Sequence, residues 1–145
     1  MAEVLAIHLS SPSVLPYLLI AAHLLLAPFL VLNIRYVGTR LIMLGFTLNL
    51  LVMLANGGLM PVEMAAVQAV GKHDGQELVP GEHIDGTKNV LLESDAIHLR
   101  PLADVIVLPV PQPFTRAISA GDIAVLAGLG ALGLTLSIAR LRART

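Results

Sequence analysis

The chain has 145 residues, of which 56% are hydrophobic and 13% are charged, whereas soluble domains average about 45–50% and about 25%. Its length fits one domain, and so few charged side chains cannot cover the surface of a water-soluble globule, which argues against a soluble enzyme. The formal charge is −1 and no basic run is interleaved with aromatic residues, so a nucleic-acid-binding protein is excluded as well. The chain contains no Cys, which excludes disulfides and Cys-based zinc sites.

Three stretches are long and apolar enough to cross a membrane as helices, which takes roughly 20 residues. We predict transmembrane spans at residues 14–34, 37–55 and 119–139. The only charged residue of the second span is Arg40 near its start, where a long basic side chain can reach the interface. The only charged residue of the third span is Asp122 in its first turn. The sequence therefore predicts a single all-α membrane domain, residues 1–145, embedded in a lipid bilayer.

The distribution of charge predicts the orientation of these spans. Residues 35–40 carry two Arg and no acid, and the tail at 140–145 carries three Arg and no acid, while eight of the ten acidic residues lie between residues 63 and 104. Basic residues in short segments favour the cytoplasmic side. We therefore expect the N-terminus and residues 56–118 outside the plasma membrane and the C-terminus in the cytoplasm.

Residues 56–118, here called the outer segment, form a 63-residue extracytoplasmic loop with six of the nine prolines and six of the twelve glycines. Pro61 suits a first helical position, and the apolar pattern of residues 62–70 predicts a short amphipathic helix on the outer membrane surface that ends at Gly71. Residues 90–93 and 96–99 flank a turn signal and predict a small β-hairpin.

His23 lies close to the middle of the first span. Ionisable side chains inside a membrane are unfavourable and are therefore functional candidates. A neutral imidazole could ligate a haem or metal cofactor or relay protons, and the alternative is a hydrogen bond to Asn49 or Thr47 of the second span. The identity of any cofactor does not follow from the sequence.

The polar tip of the outer segment, residues 72–89, holds the one cluster of residue types suited to metal binding. Imidazoles and carboxylates could bind Zn or Mn there, with His73, His83 and Asp85 as candidate ligands. These residues lie in a Gly- and Pro-containing segment without the His-x-x-x-His spacing of a helical site. A solvated loop is therefore the competing interpretation.

The third span begins with a helix-capping signal and contains rows of small residues. Ser119 and Asp122 have the spacing of a capping box, in which Asp replaces the usual Glu or Gln. Ala124 and Gly128 lie four residues apart on one row, and Ala131 belongs to another. Small residues let helices approach closely, so these faces suit packing within the chain, a membrane-protein partner or a second copy of the chain.

Three stretches carry a family resemblance, residues 49–62, 102–109 and 118–122. Their more specific elements are Asn-Gly-Gly-x-Met-Pro at 56–61 and Ser-x-Gly-Asp at 119–122. Over about residues 33–125 the sequence resembles an uncharacterised bacterial family of small integral membrane proteins, catalogued as a domain of unknown function. The resemblance implies a bacterial inner-membrane protein and supplies no activity. We expect a capped junction, where the outer segment docks on the helix ends, from Asn49, Asn56, Gly57, Gly58, Met60, Pro61, Asp104, Ser119, Gly121 and Asp122.

The sequence contains no phosphate-binding loop, no nucleophile elbow and no acid pair inside a span, so it names no reaction. The leading hypothesis is a non-catalytic accessory or scaffold subunit whose outer segment contacts a partner. The alternative is a redox or metal-dependent membrane protein that uses His23 or the His73–Asp85 cluster. A transporter assembled from several copies ranks last, because no charged residue lies at the bilayer centre.

Overall fold

The computed structural model describes residues 14–71, 78–84, 86–111 and 114–143. Within these ranges the chain forms four α-helices. They are α1 (Leu15–Leu32), α2 (Val37–Ala55), α3 (Met64–Val70) and α4 (Ala120–Arg142). By length and composition α1, α2 and α4 could each cross a membrane, in agreement with the predicted spans. Helix α4 runs three residues past the predicted end of the third span, into the segment predicted as a cytoplasmic tail.

Local sequence signals explain where α1 begins and where α2 ends. Pro16 lies in the first turn of α1, where its missing N–H has no helical partner to lose. At the end of α2, Gly57 and Gly58 have φ values of 80° and 91°, a left-handed conformation that favours glycine. The N–H of Gly58 donates to the Met53 carbonyl at 2.7 Å, so the predicted end of this helix is confirmed.

Helices α2 and α4 form a closely packed antiparallel pair. A Cβ atom added to Gly38 would lie 2.5 Å from the Gly128 carbonyl oxygen. Seven residues further along α2, Gly45 faces Gly121 in the same way. Such contacts between glycines bring two helix backbones together. Gly128 is therefore used for packing within the chain, which was one of the alternatives for its row of small residues.

The described part of the outer segment forms two small sheets. Strand β1 (Met60–Glu63) pairs in parallel with β2 (Asn89–Leu92), and β3 (Ile106–Val107) pairs antiparallel with β4 (Ala117–Ile118). A turn of 3-10 helix at Arg100–Leu102 lies between the two sheets in the chain.

The predicted hairpin of residues 90–93 and 96–99 is wrong. Strand β2 pairs with β1 instead, because Leu91 is buried there, 1% exposed, among residues that precede it by about thirty positions. After Ser94 the chain turns away from β2, and Ile97 enters the core. A short apolar run does not reveal its pairing partner, so the local turn signal was misleading.

The predicted short helix begins later than expected. Pro61 and Val62 belong to β1, so Pro61 does not occupy a first helical position, and α3 starts at Met64. Its predicted end at Gly71 is confirmed, with Gly71 in the left-handed conformation. Its Ala66 side chain packs into a protein core, so this helix is not simply an amphipathic helix lying on a membrane surface.

Two hydrophobic cores hold the outer segment together. The first joins the start of α1, the end of α2 and three places in the outer segment, and the second packs α3 on the parallel sheet. Their buried members are Leu15, Leu19, Val52, Met53, Met60, Ile97 and Ala103 in the first, and Val62, Ala66, Val67 and Leu91 in the second. The outer segment is thus docked on the neighbouring ends of α1 and α2.

Candidate functional site

Asn49, Ser119 and Asp122 form a hydrogen-bonded group between α2 and α4, here called the helix-end network. The Asn49 amide donates to Asp122 Oδ1 at 2.8 Å, and Ser119 Oγ donates to Asn49 Oδ1 at 2.9 Å. The Asp122 N–H donates to Ser119 Oγ, and the Ser119 N–H donates to Asp122 Oδ2. The predicted capping box is therefore confirmed, with Asp in the position of the usual Glu.

Gly121 makes this network sterically feasible. A Cβ atom at this position would overlap the Asn49 side chain, so any other residue would push the two helices apart. Asn49 and Ser119 are both buried, and polar groups buried at such a contact need partners. Asn49 of α2 and the Ser-x-Gly-Asp motif at the start of α4 thus meet in one contact.

The Asn-Gly-Gly-x-Met-Pro motif holds the end of α2 against the rest of the outer segment. The Asn56 amide donates to the carbonyls of Val52 and His98, and its Oδ1 accepts the His98 N–H at 3.0 Å. A Cβ atom at Gly58 would lie 2.7 Å from Pro16 Cβ. These contacts join the start of α1 and the end of α2 to the chain near residue 98.

The last two residues of this motif are buried in strand β1. Met60 is completely buried in the first core, and the Pro61 carbonyl accepts the Asp104 N–H at 3.0 Å. Gly57 has open space around its Cα, so its requirement for glycine comes from its positive φ. The structure thus brings the signature residues together at one end of the long helices, although it distributes them over several contacts.

Asp104 is a buried acid beside the helix-end network. Its residue is 2% exposed, and its Oδ2 accepts a hydrogen bond from the Asn89 amide at 2.7 Å. Lys88 Nζ lies 3.8 Å from Asp104 Oδ2 and 3.6 Å from Asp122 Oδ2, so one ammonium group links the two carboxylates. Burial raises the pKa of Asp104 to about 6, although the Lys88 ammonium opposes this shift.

The other carboxylate oxygen of Asp104 is incompletely bonded. Asp104 Oδ1 is buried and has no hydrogen-bond partner among the described residues. A buried acceptor without a donor is unfavourable by about 1–3 kcal/mol. Such an atom in an otherwise well-bonded region requires an explanation.

Asp104 lines an open cavity of about 670 Å³, here called the polar cleft. The cleft lies between α3, the parallel sheet, β4 and the first turn of α4. Its volume is typical of sites for small molecules. Charged and amide side chains line one part of it, namely Lys88, Asn89, Asp104, Arg116 and Asp122, and Val62, Val67, Val70, Ile84, Ala117 and Ile118 supply the apolar part.

A separate ion pair ties β1 to the chain that follows β2. Arg100 Nη2 lies 2.9 Å from both carboxylate oxygens of Glu63, and the Ser94 hydroxyl donates to the same carboxylate. The Ser94 hydrogen bond and then Arg100 lower the pKa of Glu63. Glu63 and its partners Ser94 and Arg100 all belong to the outer segment, so these bonds hold that segment together.

His23 is bonded within its own helix. The His23 Nδ1–H donates to the Leu19 carbonyl at 2.8 Å, and the imidazole ring lies 5.0 Å from the Phe46 ring of α2. The Thr47 hydroxyl likewise donates to the Met43 carbonyl of α2. The expected hydrogen bond from His23 to Asn49 or Thr47 is therefore wrong, because backbone carbonyls one turn away are closer partners.

The predicted metal cluster of the polar tip is only partly described by the structure. His73 and Asp85 lie outside the described residues, and His83 Nε2 forms a hydrogen bond with the Thr87 carbonyl at 2.7 Å. In the part of the chain that the structure describes, no group of three or more His, Asp or Glu side chains could hold a metal ion.

Sequence reasoning did not identify Lys88, Asn89 or Arg116 as site residues. Lys88 and Asn89 belong to the segment read as a solvated tip, and Arg116 follows the prolines near the end of the outer segment. One sequence signal points to Lys88: a basic residue within a strongly acidic segment is expected to lie beside a carboxylate. The sequence does not reveal which carboxylate, because Lys88 and Asp122 are far apart in the chain.

Comparison with known proteins gives one match. A family model described as a family of unknown function (DUF5317) matches residues 4–134. No curated protein and no solved structure matches the chain. The matched region includes the first helix, so the similarity extends further than the 33–125 expected from the motifs.

Proposed function

The chain belongs to DUF5317, a family of unknown function, and from this premise we propose that it is a non-catalytic accessory or scaffold subunit of the bacterial plasma membrane. The three apolar helices cross the bilayer. The N-terminus and the outer segment lie outside, and the C-terminus lies in the cytoplasm. The outer segment presents a folded surface to a partner, while the helices anchor it.

The observation that carries this proposal is the contrast between the ends and the sides of the helices. One end of the three-helix group is covered by the outer segment, which is attached to it by the first core and several hydrogen bonds. The sides of α1 and α4 expose large apolar side chains that suit lipid or another membrane helix. Those side chains include Leu24, Leu25 and Phe29 of α1 and Leu126, Leu129 and Leu134 of α4.

Cysteine labelling tests the orientation directly, because the chain contains no Cys of its own. Asp95→Cys is in the exposed turn after β2, and Ala143→Cys is at the end of α4. A membrane-impermeant maleimide should label Asp95→Cys in intact spheroplasts and Ala143→Cys only after permeabilisation. The reverse pattern, or equal labelling of both, would contradict the proposed orientation.

Co-purification tests the accessory role. Gentle detergent extraction from native membranes should yield a stoichiometric partner or a second copy of the chain. Gly130 and Gly133 lie on a face of α4 with open space around them, so Gly130→Leu and Gly133→Leu should weaken this association without unfolding the monomer. A wild-type chain that elutes as a monomer from native membranes would contradict the proposal.

A further inference from the structure

The polar cleft contains an acceptor that the described chain leaves without a donor. Asp104 Oδ1 is buried and unbonded, while Oδ2 of the same carboxylate is occupied by the Asn89 amide. The Asp104 side chain is only 3% exposed, and the residue lines the cleft. Asp122 supplies a second carboxylate on the same wall.

The cleft also contains cations with donors to spare. Lys88 Nζ lies more than 3.5 Å from both of its carboxylate neighbours, which is longer than a hydrogen bond. Arg116 is an exposed residue at the cleft wall and forms no ion pair with any residue in the described ranges. Guanidinium and ammonium groups that are free to donate are suited to phosphate oxygens.

The position of the cleft relative to the long helices indicates where its ligand would come from. Asp122 is in the first turn of α4, a helix long and apolar enough to span a membrane. Ile118, two residues before this helix, also lines the cleft. If α4 crosses the bilayer, as proposed above, its first turn lies at the level of the phospholipid headgroups.

We propose that the polar cleft binds a phosphoethanolamine group. Its ammonium donates to Asp104, and its phosphate accepts from Arg116 and Lys88. Among the described residues of the cleft wall, two carboxylates and two basic side chains balance in formal charge, which matches a zwitterion better than a simple cation or anion. The apolar wall formed by Val67, Val70 and Ile118 accommodates the carbon atoms that follow the phosphate in a lipid.

Binding of short-chain phospholipids to the full-length protein in a maltoside detergent tests this assignment. Phosphatidylethanolamine should bind at least tenfold more tightly than phosphatidylglycerol, which lacks the ammonium. It should also bind at least tenfold more tightly than phosphatidylcholine, whose trimethylated nitrogen has no N–H to donate. Native mass spectrometry and the ligand-dependent rise in unfolding temperature both report the binding.

Charge-removing variants locate the site within the protein. Asp104→Asn and Arg116→Gln should each weaken phosphatidylethanolamine binding at least tenfold. Asp95→Asn, an exposed acid outside the cleft, and Arg140→Gln, at the far end of α4, are the matched controls and should bind like the wild type. Arg116 is exposed, so its variant retains the fold and the result does not depend on the stability of the Asp104 variant.

The outcomes separate the lipid from a soluble source and the site from the proposed membrane role. Free phosphoethanolamine that binds as tightly as the lipid would identify a soluble ligand of the same site, whereas tighter lipid binding would identify the bilayer as the source. Equal binding of all three lipids, or unchanged binding in both cleft variants, would overturn the assignment. The position of the cleft at the headgroups rests on the proposed function, but this assay in detergent requires neither the proposed orientation nor a protein partner, which the labelling and co-purification tests decide.

Discussion

The helix-end network and the polar cleft are adjacent groups of polar residues with opposite degrees of internal bonding. In the network, the Asn49 side chain and the Ser119 cap are bonded to each other and to Asp122. In the cleft, one oxygen of Asp104 has no partner among the described residues, and Lys88 forms ion pairs with Asp104 and Asp122 at distances longer than a hydrogen bond. Lys88 and Asp122 connect the two groups.

This difference separates a structural role from a binding role. Polar groups that satisfy one another fix a unique packing of two helices, and they have little capacity left for a ligand. A partly satisfied group destabilises the empty protein and gains most from a bound donor. The following substitutions test whether the two groups differ in this way.

The largest expected effect is at Gly121. Gly121→Ala should lower the free energy of unfolding by about 4 kcal/mol, because its Cβ overlaps Asn49 and forces apart both the helix pair and the hydrogen-bonded network. Thermal unfolding of the purified protein in detergent measures this change. Gly130→Ala is the matched control, since nothing lies near that position, and similar unfolding of both variants would contradict the proposed importance of the network.

Asn49→Leu should have the next largest effect, a loss of about 3 kcal/mol. It leaves the Asp122 carboxylate and the Ser119 hydroxyl without the partners that they have in the buried contact. The same unfolding assay applies, with Thr47→Val as control, because the Thr47 hydroxyl donates only to the carbonyl one turn earlier in its own helix. A loss as small as that of the control would show that the network contributes little.

Asp104→Asn should have the opposite sign and raise the free energy of unfolding by about 2 kcal/mol at pH 7.5. The pKa of Asp104 is raised from 3.8 to about 6 in the folded protein. The favourable contribution of neutral Asp104 to the free energy of unfolding is therefore fully present below pH 3.8, and it is lost as the pH rises through about 6. The wild type should become more stable between pH 7.5 and pH 5 by a term that Asp104→Asn lacks.

Unfolding measured across this pH range in both proteins checks the sign. Asp95→Asn, in the exposed turn after β2, serves as a control for the loss of one acidic group. A pH dependence that is the same in Asp104→Asn and in the wild type would contradict the assignment to Asp104. Greater stability together with loss of phosphatidylethanolamine binding would distinguish a binding residue from a structural one.

The smallest expected effect is at the ion pair outside both groups. Arg100→Gln should lower the free energy of unfolding by about 0.5–1 kcal/mol, because the Arg100 side chain is half exposed and solvent screens the pair. The pKa of Glu63 is lowered from 4.5, so its contribution is present above pH 4.5 and is lost as the pH falls through the folded-state value. The difference between variant and wild type should therefore be constant from pH 6 to 8 and disappear in acid.

The sequence predicted the three long helices, the end of α2 and the capped start of α4, because these depend on neighbouring residues. Continuous apolar stretches give the spans, glycines at 57, 58 and 71 end helices through their backbone conformation, and Ser119 with Asp122 caps α4. A polar residue inside an apolar span is expected to make a contact between helices. Asn49 does so with Ser119 and Asp122, whereas Thr47 bonds to a carbonyl of its own helix, so the same expectation is wrong for Thr47. Each of these features needs only local spacing or a residue type that is unfavourable in lipid without a partner.

The parallel sheet and the polar cleft could not be predicted in this way. Strand β1 pairs with a strand that begins 26 residues after β1 ends, and nothing in either strand identifies the other. The pairing of β1 and β2 also sets the positions of Lys88, which precedes β2, and Asn89, which begins it. Asp104 was selected by family resemblance alone, and its bonding depends on this pairing.

The helix-end network has a consequence for the order in which the protein acquires its structure. Asn49 bonds to side chains that are 70 and 73 residues later in the chain. At about 5–20 residues per second, the ribosome takes roughly 4–15 seconds to add that length. During synthesis, α2 is therefore complete before its partners Gly121 and Gly128 of α4 have been added. A chain truncated before residue 119 lacks the residues that bond to Asn49.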